Sequence, residues 1–109
     1  MRKLLAVSTA LLLNIALAAP VEELVPSLPD MGSFKFKLYS GYLDIAGTSK
    51  TLHYVFSESK SNPMKDPLIF WFNGGPGCSS MLGFLKENGP WVMDDETSFF
   101  FENPWSWNN

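Results

Sequence analysis

The sequence predicts an α/β fold with an incomplete sheet, on three observations. Alternating apolar and polar residues between Phe34 and Ser57 mark an antiparallel pair of strands. A continuous apolar run, Leu68 to Phe72, has no polar face. A glycine-rich loop and one short helical pattern follow that run directly. A strand apolar on both sides belongs inside a sheet with helices above and below it. This chain of 109 residues supplies one short helix. The mismatch predicts a fragment of a larger sheet.

The first residues stand apart from that fold. Met1-Arg2-Lys3 is basic, and Leu4 to Leu17 is apolar apart from Ser8, Thr9 and Asn14. Ala16-Leu17-Ala18 has the small-x-small pattern of a signal-peptidase site, so residues 1–18 are expected to be a secretory signal cut after Ala18. The apolar run is short for a membrane span and has no stop-transfer flank. Losing Arg2 and Lys3 takes the formal net charge from −3 to −5. A mildly acidic mature chain without a basic run has no electrostatic grip on nucleic acid or on an anionic membrane surface.

Residues 19–33, APVEELVPSLPDMGS, hold three prolines and read as an extended lead-in on the surface. From residue 34 to 109 the chain reads as one unit. Phe34, Phe36 and Leu38 fall on one face of a half-buried strand, with Lys35, Lys37 and Tyr39 on the other. The alternation resumes through Tyr42-Leu43-Asp44-Ile45, turns at Ala46-Gly47-Thr48-Ser49, and returns over Thr51 to Ser57 with Leu52, Tyr54 and Phe56 together. Ser61 to Pro67 is a polar loop. Leu68 to Phe72 is the expected buried central strand. Ser79 or Ser80 can cap a helix over Met81 to Asn88, which Gly89-Pro90 ends. Trp91 to Asn109 is aromatic and acidic and reads as irregular.

The loop itself, "WFNGGPGCSS" from Trp71 to Ser80, offers backbone N–H groups unobstructed by side chains. Such groups cradle phosphate or stabilise an oxyanion. Phosphate is disfavoured: there is no Gly-x-Gly-x-x-Gly, no Lys-Ser/Thr follows, and Pro76 removes a donor. Cys78 is the only cysteine, which in a secreted chain leaves an intermolecular pair, a free thiol or an absent partner.

The wider stretch DPLIFWFNGGPGCSSMLGFLKENGP, Asp66 to Pro90, resembles the serine carboxypeptidase family of the α/β-hydrolase fold. In that family a strand ends in Trp-Leu-Asn-Gly-Gly-Pro-Gly-Cys-Ser-Ser and Glu-x-Gly-Pro follows. The likeness extends to YSGYLDI (Tyr39 to Ile45), LHYVFSES (Leu52 to Ser59) and ENPWSWNN (Glu102 to Asn109). It implies that Gly75 donates its N–H to the oxyanion while Gly74 gives the substrate carbonyl clearance. It implies that Asn73 and a protonated Glu87 bind the substrate's C-terminal carboxylate, supported by Trp71. Cys78 would pair with a cysteine much further along. The residues agree with that division of labour. The only arginine, Arg2, lies in the signal, and an amide with an uncharged acid can grip a carboxylate without a cation, best at low pH. No cofactor and no metal is implied; the partners are peptides or proteins with a free C-terminus.

The chain departs from the family pattern at Leu82, where many relatives have a small polar residue, and at Lys86, where an aromatic is common. Both would border the pocket for the C-terminal side chain. Phe72 for Leu is a mild change. The family's nucleophile lies in a Gly-x-Ser-x-Gly elbow, followed in chain order by Asp and His, and no such elbow occurs in this sequence. Ser79 and Ser80 read as helix caps, and His53, mid-strand in TLHYVF, as a strand-surface residue. The expectation is therefore half an active site: the oxyanion and carboxylate-binding half, inactive alone, from a secreted or lysosomal/vacuolar serine carboxypeptidase. A truncated, non-catalytic secreted protein that binds peptide C-termini or a partner is the competing expectation. A lipase-like esterase fits less well, because it has no carboxylate for Asn73 and Glu87 to hold.

Overall fold

A computed structural model describes residues 20–29 and 31–109. The expected signal, residues 1–18, lies outside the described residues, as do Ala19 and Asp30 of the lead-in. No helix among the described residues is long and apolar enough to cross a membrane.

The expected hairpin is present. Strand β2 (Leu38–Asp44) pairs antiparallel with β3 (Thr51–Ser57), in a register running from Leu38 opposite Ser57 to Asp44 opposite Thr51. The turn closes where Gly47 takes φ +75°, and the Thr48 hydroxyl donates to Ile45 O at 2.9 Å. One face carries Tyr39 stacked on Phe56, then Gly41 opposite Tyr54, then Leu43 opposite Leu52. Phe34 to Lys37 precede the strand rather than belonging to it.

The lead-in is more structured than its prolines suggest. A 3-10 turn, Val21–Glu23, leads into β1 (Leu24–Val25), which adds a third strand beside β2. Glu23 lies over Gly41, the one position on that face without a side chain, and accepts a hydrogen bond from the Tyr54 hydroxyl. That bond, with part burial behind it, pushes the Tyr54 phenol up to about 12. The folded value lies above the unfolded one, so the bond's contribution is complete below pH 10 and lost as pH rises towards 12. In the whole protein, an ultraviolet titration should show one phenolate appearing near pH 12. Tyr54→Phe should remove that step and cost about 1 kcal/mol. A late step that survives the substitution would rule the latch out.

Two expectations need correction. Leu68 to Phe72 forms no ladder, and Leu68 (64%), Phe70 (73%) and Phe72 (77%) are exposed. A strand is completed by its neighbours' backbone groups, and the described residues place no partner on either side of this one. Trp91 to Asn109, expected to be irregular, contains a second hairpin of β4 (Trp91–Met93) and β5 (Phe100–Glu102). Its turn is organised by Asp94, whose Oδ1 accepts the Thr97 N–H at 2.7 Å and the Thr97 hydroxyl at 2.8 Å. Those two bonds, the backbone one first, hold the Asp94 carboxyl below the usual range.

Helix α1 (Met81–Lys86) ends two residues earlier than the expected Met81 to Asn88. Its Phe84 reaches Trp91, ring centroids 6.3 Å apart, and Trp91 also meets Phe34 at 5.0 Å and Phe36 at 5.5 Å. This aromatic cluster, with buried Leu38 and Tyr39, is the core that ties the first hairpin to α1 and β4. A polar strap, residues 103–109, closes the arrangement. Its Asn103, Ser106 and Asn108 are buried, and Asn108 Nδ2 donates to Glu58 O at 3.0 Å beyond the end of β3.

Candidate functional site

The glycine loop runs from the end of the apolar segment to α1, and Asn73 is its pivot. Asn73 Oδ1 accepts the Trp71 Nε1–H at 3.0 Å and the Gly83 N–H at 3.1 Å. Two donors occupy both lone pairs of the amide oxygen, so the NH2 is the end left to donate to a ligand. The Asn73 backbone N–H donates to Ser80 Oγ at 3.1 Å, which ties the start of the loop to its finish. The first turn of an isolated helix has unpaired N–H groups. Here one of them, from Gly83, is spent on orienting Asn73.

Gly83 is on α1 for a steric reason. A methyl group there would lie 2.2 Å from Trp71 Nε1 and 2.9 Å from two further indole atoms. Only a bare Cα lets the indole lie on the helix backbone. Trp71 also meets Trp107, edge-on at 5.3 Å and 89°.

Within the loop Gly75 has φ +153° and Gly77 has φ +90°, conformations that favour glycine. A methyl on Gly75 would meet Gly77 N at 2.9 Å and Cys78 N at 3.1 Å, so the loop is folded tightly on itself there. Around Gly74 there is open space, with nothing within 4 Å of where a methyl would sit. Bare backbone N–H groups in a tight loop can stabilise a developing oxyanion.

The remaining residues singled out from the sequence are arranged as follows. Glu87 is exposed just after α1, and no hydrogen bond joins its carboxyl to Asn73 among the described residues. Leu82 is exposed on α1. The Lys86 ammonium is turned to the second hairpin, donating to Met93 O at 3.0 Å and pairing with Asp95. Cys78 is free and exposed. Ser79 Oγ accepts the Met81 N–H at 3.2 Å and Ser80 Oγ serves Asn73, so both hydroxyls are engaged structurally. His53 shares a hydrogen bond with Ser40 Oγ on the exposed hairpin face.

Sequence reading missed Gly83, Trp107 and Asn103, and read Ser80 only as a helix cap, not as the acceptor of the Asn73 N–H. Gly83 looks like any small residue in a helical pattern, and only its contact with Trp71 shows that it must be glycine. Asn103 and Trp107 sit in the NPWSWN stretch, where buried polar residues alternate with exposed aromatic ones, a pattern without a standard local fold. Among the described residues no group of three or more His, Cys, Asp or Glu could hold a metal ion.

A family model described as serine carboxypeptidase matches residues 26–109. The chain is 44% identical over 102 residues to serine carboxypeptidase ctsa-3.1 of Caenorhabditis elegans, covering 91% of this chain and 18% of the relative. It is 42% identical over 92 residues to lysosomal protective protein of Mus musculus, covering 84% of this chain and 19% of the relative. It is 48% identical over 79 residues to carboxypeptidase Y homolog A of Fusarium vanettenii, covering 72% of this chain and 14% of the relative. The chain thus spans less than a fifth of the length of each of these three relatives.

Proposed function

The chain belongs to the serine carboxypeptidase family, and from that premise we propose that the protein carrying it is a serine-type carboxypeptidase releasing C-terminal residues from peptides at acidic pH. This segment supplies the oxyanion loop, through Gly74 and Gly75, and the carboxylate grip, through Asn73, Glu87 and Trp71. The nucleophile, base and orienting acid lie outside these 109 residues, so the segment alone turns over nothing. The working compartment is extracellular or lysosomal/vacuolar, reached through the secretory pathway.

One observation carries the reading. The Asn73 amide oxygen is consumed by Trp71 and Gly83, so its NH2 is the end presented to a ligand, next to a loop of bare backbone donors. That pair of features suits a substrate with a carboxylate at one end and a carbonyl to attack nearby. Lys86, the basic residue beside Glu87, is committed to Met93 O and Asp95, which favours an uncharged grip over a cationic one.

The test uses the whole enzyme and measures kcat/KM against pH for an N-blocked dipeptide and its C-terminal amide. Glu87 can donate to a carboxylate only as the uncharged acid, and the C-terminal amide offers no carboxylate to receive that bond. Glu87→Gln keeps a donor that cannot ionise. It should weaken free-acid turnover by roughly 1–3 kcal/mol and leave the amide nearly unchanged. A serine-directed phosphonylating reagent should silence both substrates. Equal effects of Glu87→Gln on acid and amide would remove Glu87 from the recognition site.

A further inference from the structure

We propose that the polar strap, through Asn103 and Trp107, positions the carboxylate-binding residues on both sides of the site; this rests on the carboxylate-binding reading of Asn73 and Glu87. The last carbonyls of a helix and those just beyond it lack partners inside the helix. After α1 three successive carbonyls are taken by the strap. Asn103 Nδ2 donates to Glu87 O at 3.2 Å and to Gly89 O at 2.9 Å. The Trp107 N–H donates to Asn88 O at 3.0 Å. The peptide unit that carries Glu87 is therefore fixed from outside its own helix.

Asn103 is itself locked. It is 4% exposed, its Oδ1 accepts the Trp105 N–H at 3.0 Å, and its own N–H donates to Pro90 O at 2.9 Å. Every polar group of the residue is engaged, which leaves its side chain a single orientation. The other half of the clamp is the Trp107 ring. It meets Trp71 edge-on at 5.3 Å, and Trp71 Nε1 holds the Asn73 oxygen. One seven-residue stretch, 103–109, so reaches Glu87 through its backbone and Asn73 through an indole. A carboxylate gripped by two donors needs both held in place, because a displacement of about 1 Å is costly to a positioned contact. Neither Asn103 nor Trp107 touches substrate in this scheme; both act through a neighbour.

The test uses the full-length enzyme, with kcat/KM for an N-blocked dipeptide free acid divided by that for its C-terminal amide. Asn103→Ala removes both donors to the Glu87 and Gly89 carbonyls and should lower that ratio about tenfold or more. Trp107→Ala keeps the backbone bond to Asn88 and removes only the ring, which is 56% exposed; it should lower the ratio several-fold while the protein still folds. Both losses should appear mainly in KM for the free acid. If Asn103→Ala fails to fold, the Trp107→Ala ratio decides alone. A ratio unchanged in the folded variants, with turnover of acid and amide falling together or only the melting temperature falling, overturns the positioning role. Asn73→Ala separates the two levels. A ratio that falls for Asn73→Ala but not for the strap variants sinks the strap proposal and leaves the site reading intact. A ratio unmoved by Asn73→Ala as well sinks the site reading itself, and the strap proposal with it.

Discussion

Alanine in place of Gly75 should lower kcat of the whole enzyme by about 10²–10³-fold, the cost of misplacing one oxyanion donor. The residue has φ +153°, where an L side chain is strained, and the added methyl would lie 2.9 Å from Gly77 N and 3.1 Å from Cys78 N. Those neighbours are backbone atoms of a tight loop and cannot swing aside like the tip of a side chain. The loop must open, and the N–H it presents moves with it. Because a tetrahedral oxyanion forms from peptide, amide and ester alike, all three substrates should lose kcat together, with KM for the free acid little changed. Inactivation by a phosphonylating reagent should slow in parallel, since it also builds negative charge on an oxygen. A kcat within about fivefold of wild type in a folded variant would place the oxyanion donor elsewhere.

The first hairpin was legible because alternation and a polar turn are local signals. Leu52, Tyr54 and Phe56 share a face as their spacing requires, and the register follows from the Ala46–Ser49 turn. Leu68 to Phe72 was legible as apolar but not as a formed strand, because a strand depends on partners remote in sequence. The second hairpin was readable in principle: Asp94 and Thr97 make an Asx-type turn between two apolar runs. Three-residue strands carry too little alternation to announce themselves. In the candidate site, the pairing of Trp71 with Asn73 on the glycine loop was legible through the motif. The orientation of Asn73 was not, since it depends on the Gly83 N–H across the loop. Lys86 read as a pocket neighbour, whereas its ammonium is drawn to Asp95 and Met93 O on a hairpin that the sequence did not announce.

Gly83→Ala should lower kcat/KM for free-acid peptides roughly 30–150-fold, equivalent to about 2–3 kcal/mol. On propensity alone the change is favourable, since alanine in a helix interior stabilises it by about 0.5–1 kcal/mol relative to glycine. The contact reverses that sign. The new methyl would sit 2.2 Å from Trp71 Nε1, so the indole must leave the helix, and its hydrogen bond to Asn73 Oδ1 goes with it. The Asn73 amide oxygen then keeps a single donor, the Gly83 N–H, and its NH2 is no longer held towards the proposed carboxylate site. Trp71 should report the move directly through a change in tryptophan emission. A double-mutant cycle isolates the cause. Trp71→Ala alone should also lose free-acid activity, but adding Gly83→Ala to it should cost less than threefold more, an allowance for error rather than a further interaction. Stability should change sign across the same cycle: Gly83→Ala lowers the melting temperature beside Trp71 and raises it once the indole is gone. Additive losses in activity, or destabilisation in both backgrounds, would mean that Gly83 serves something other than the seat of Trp71.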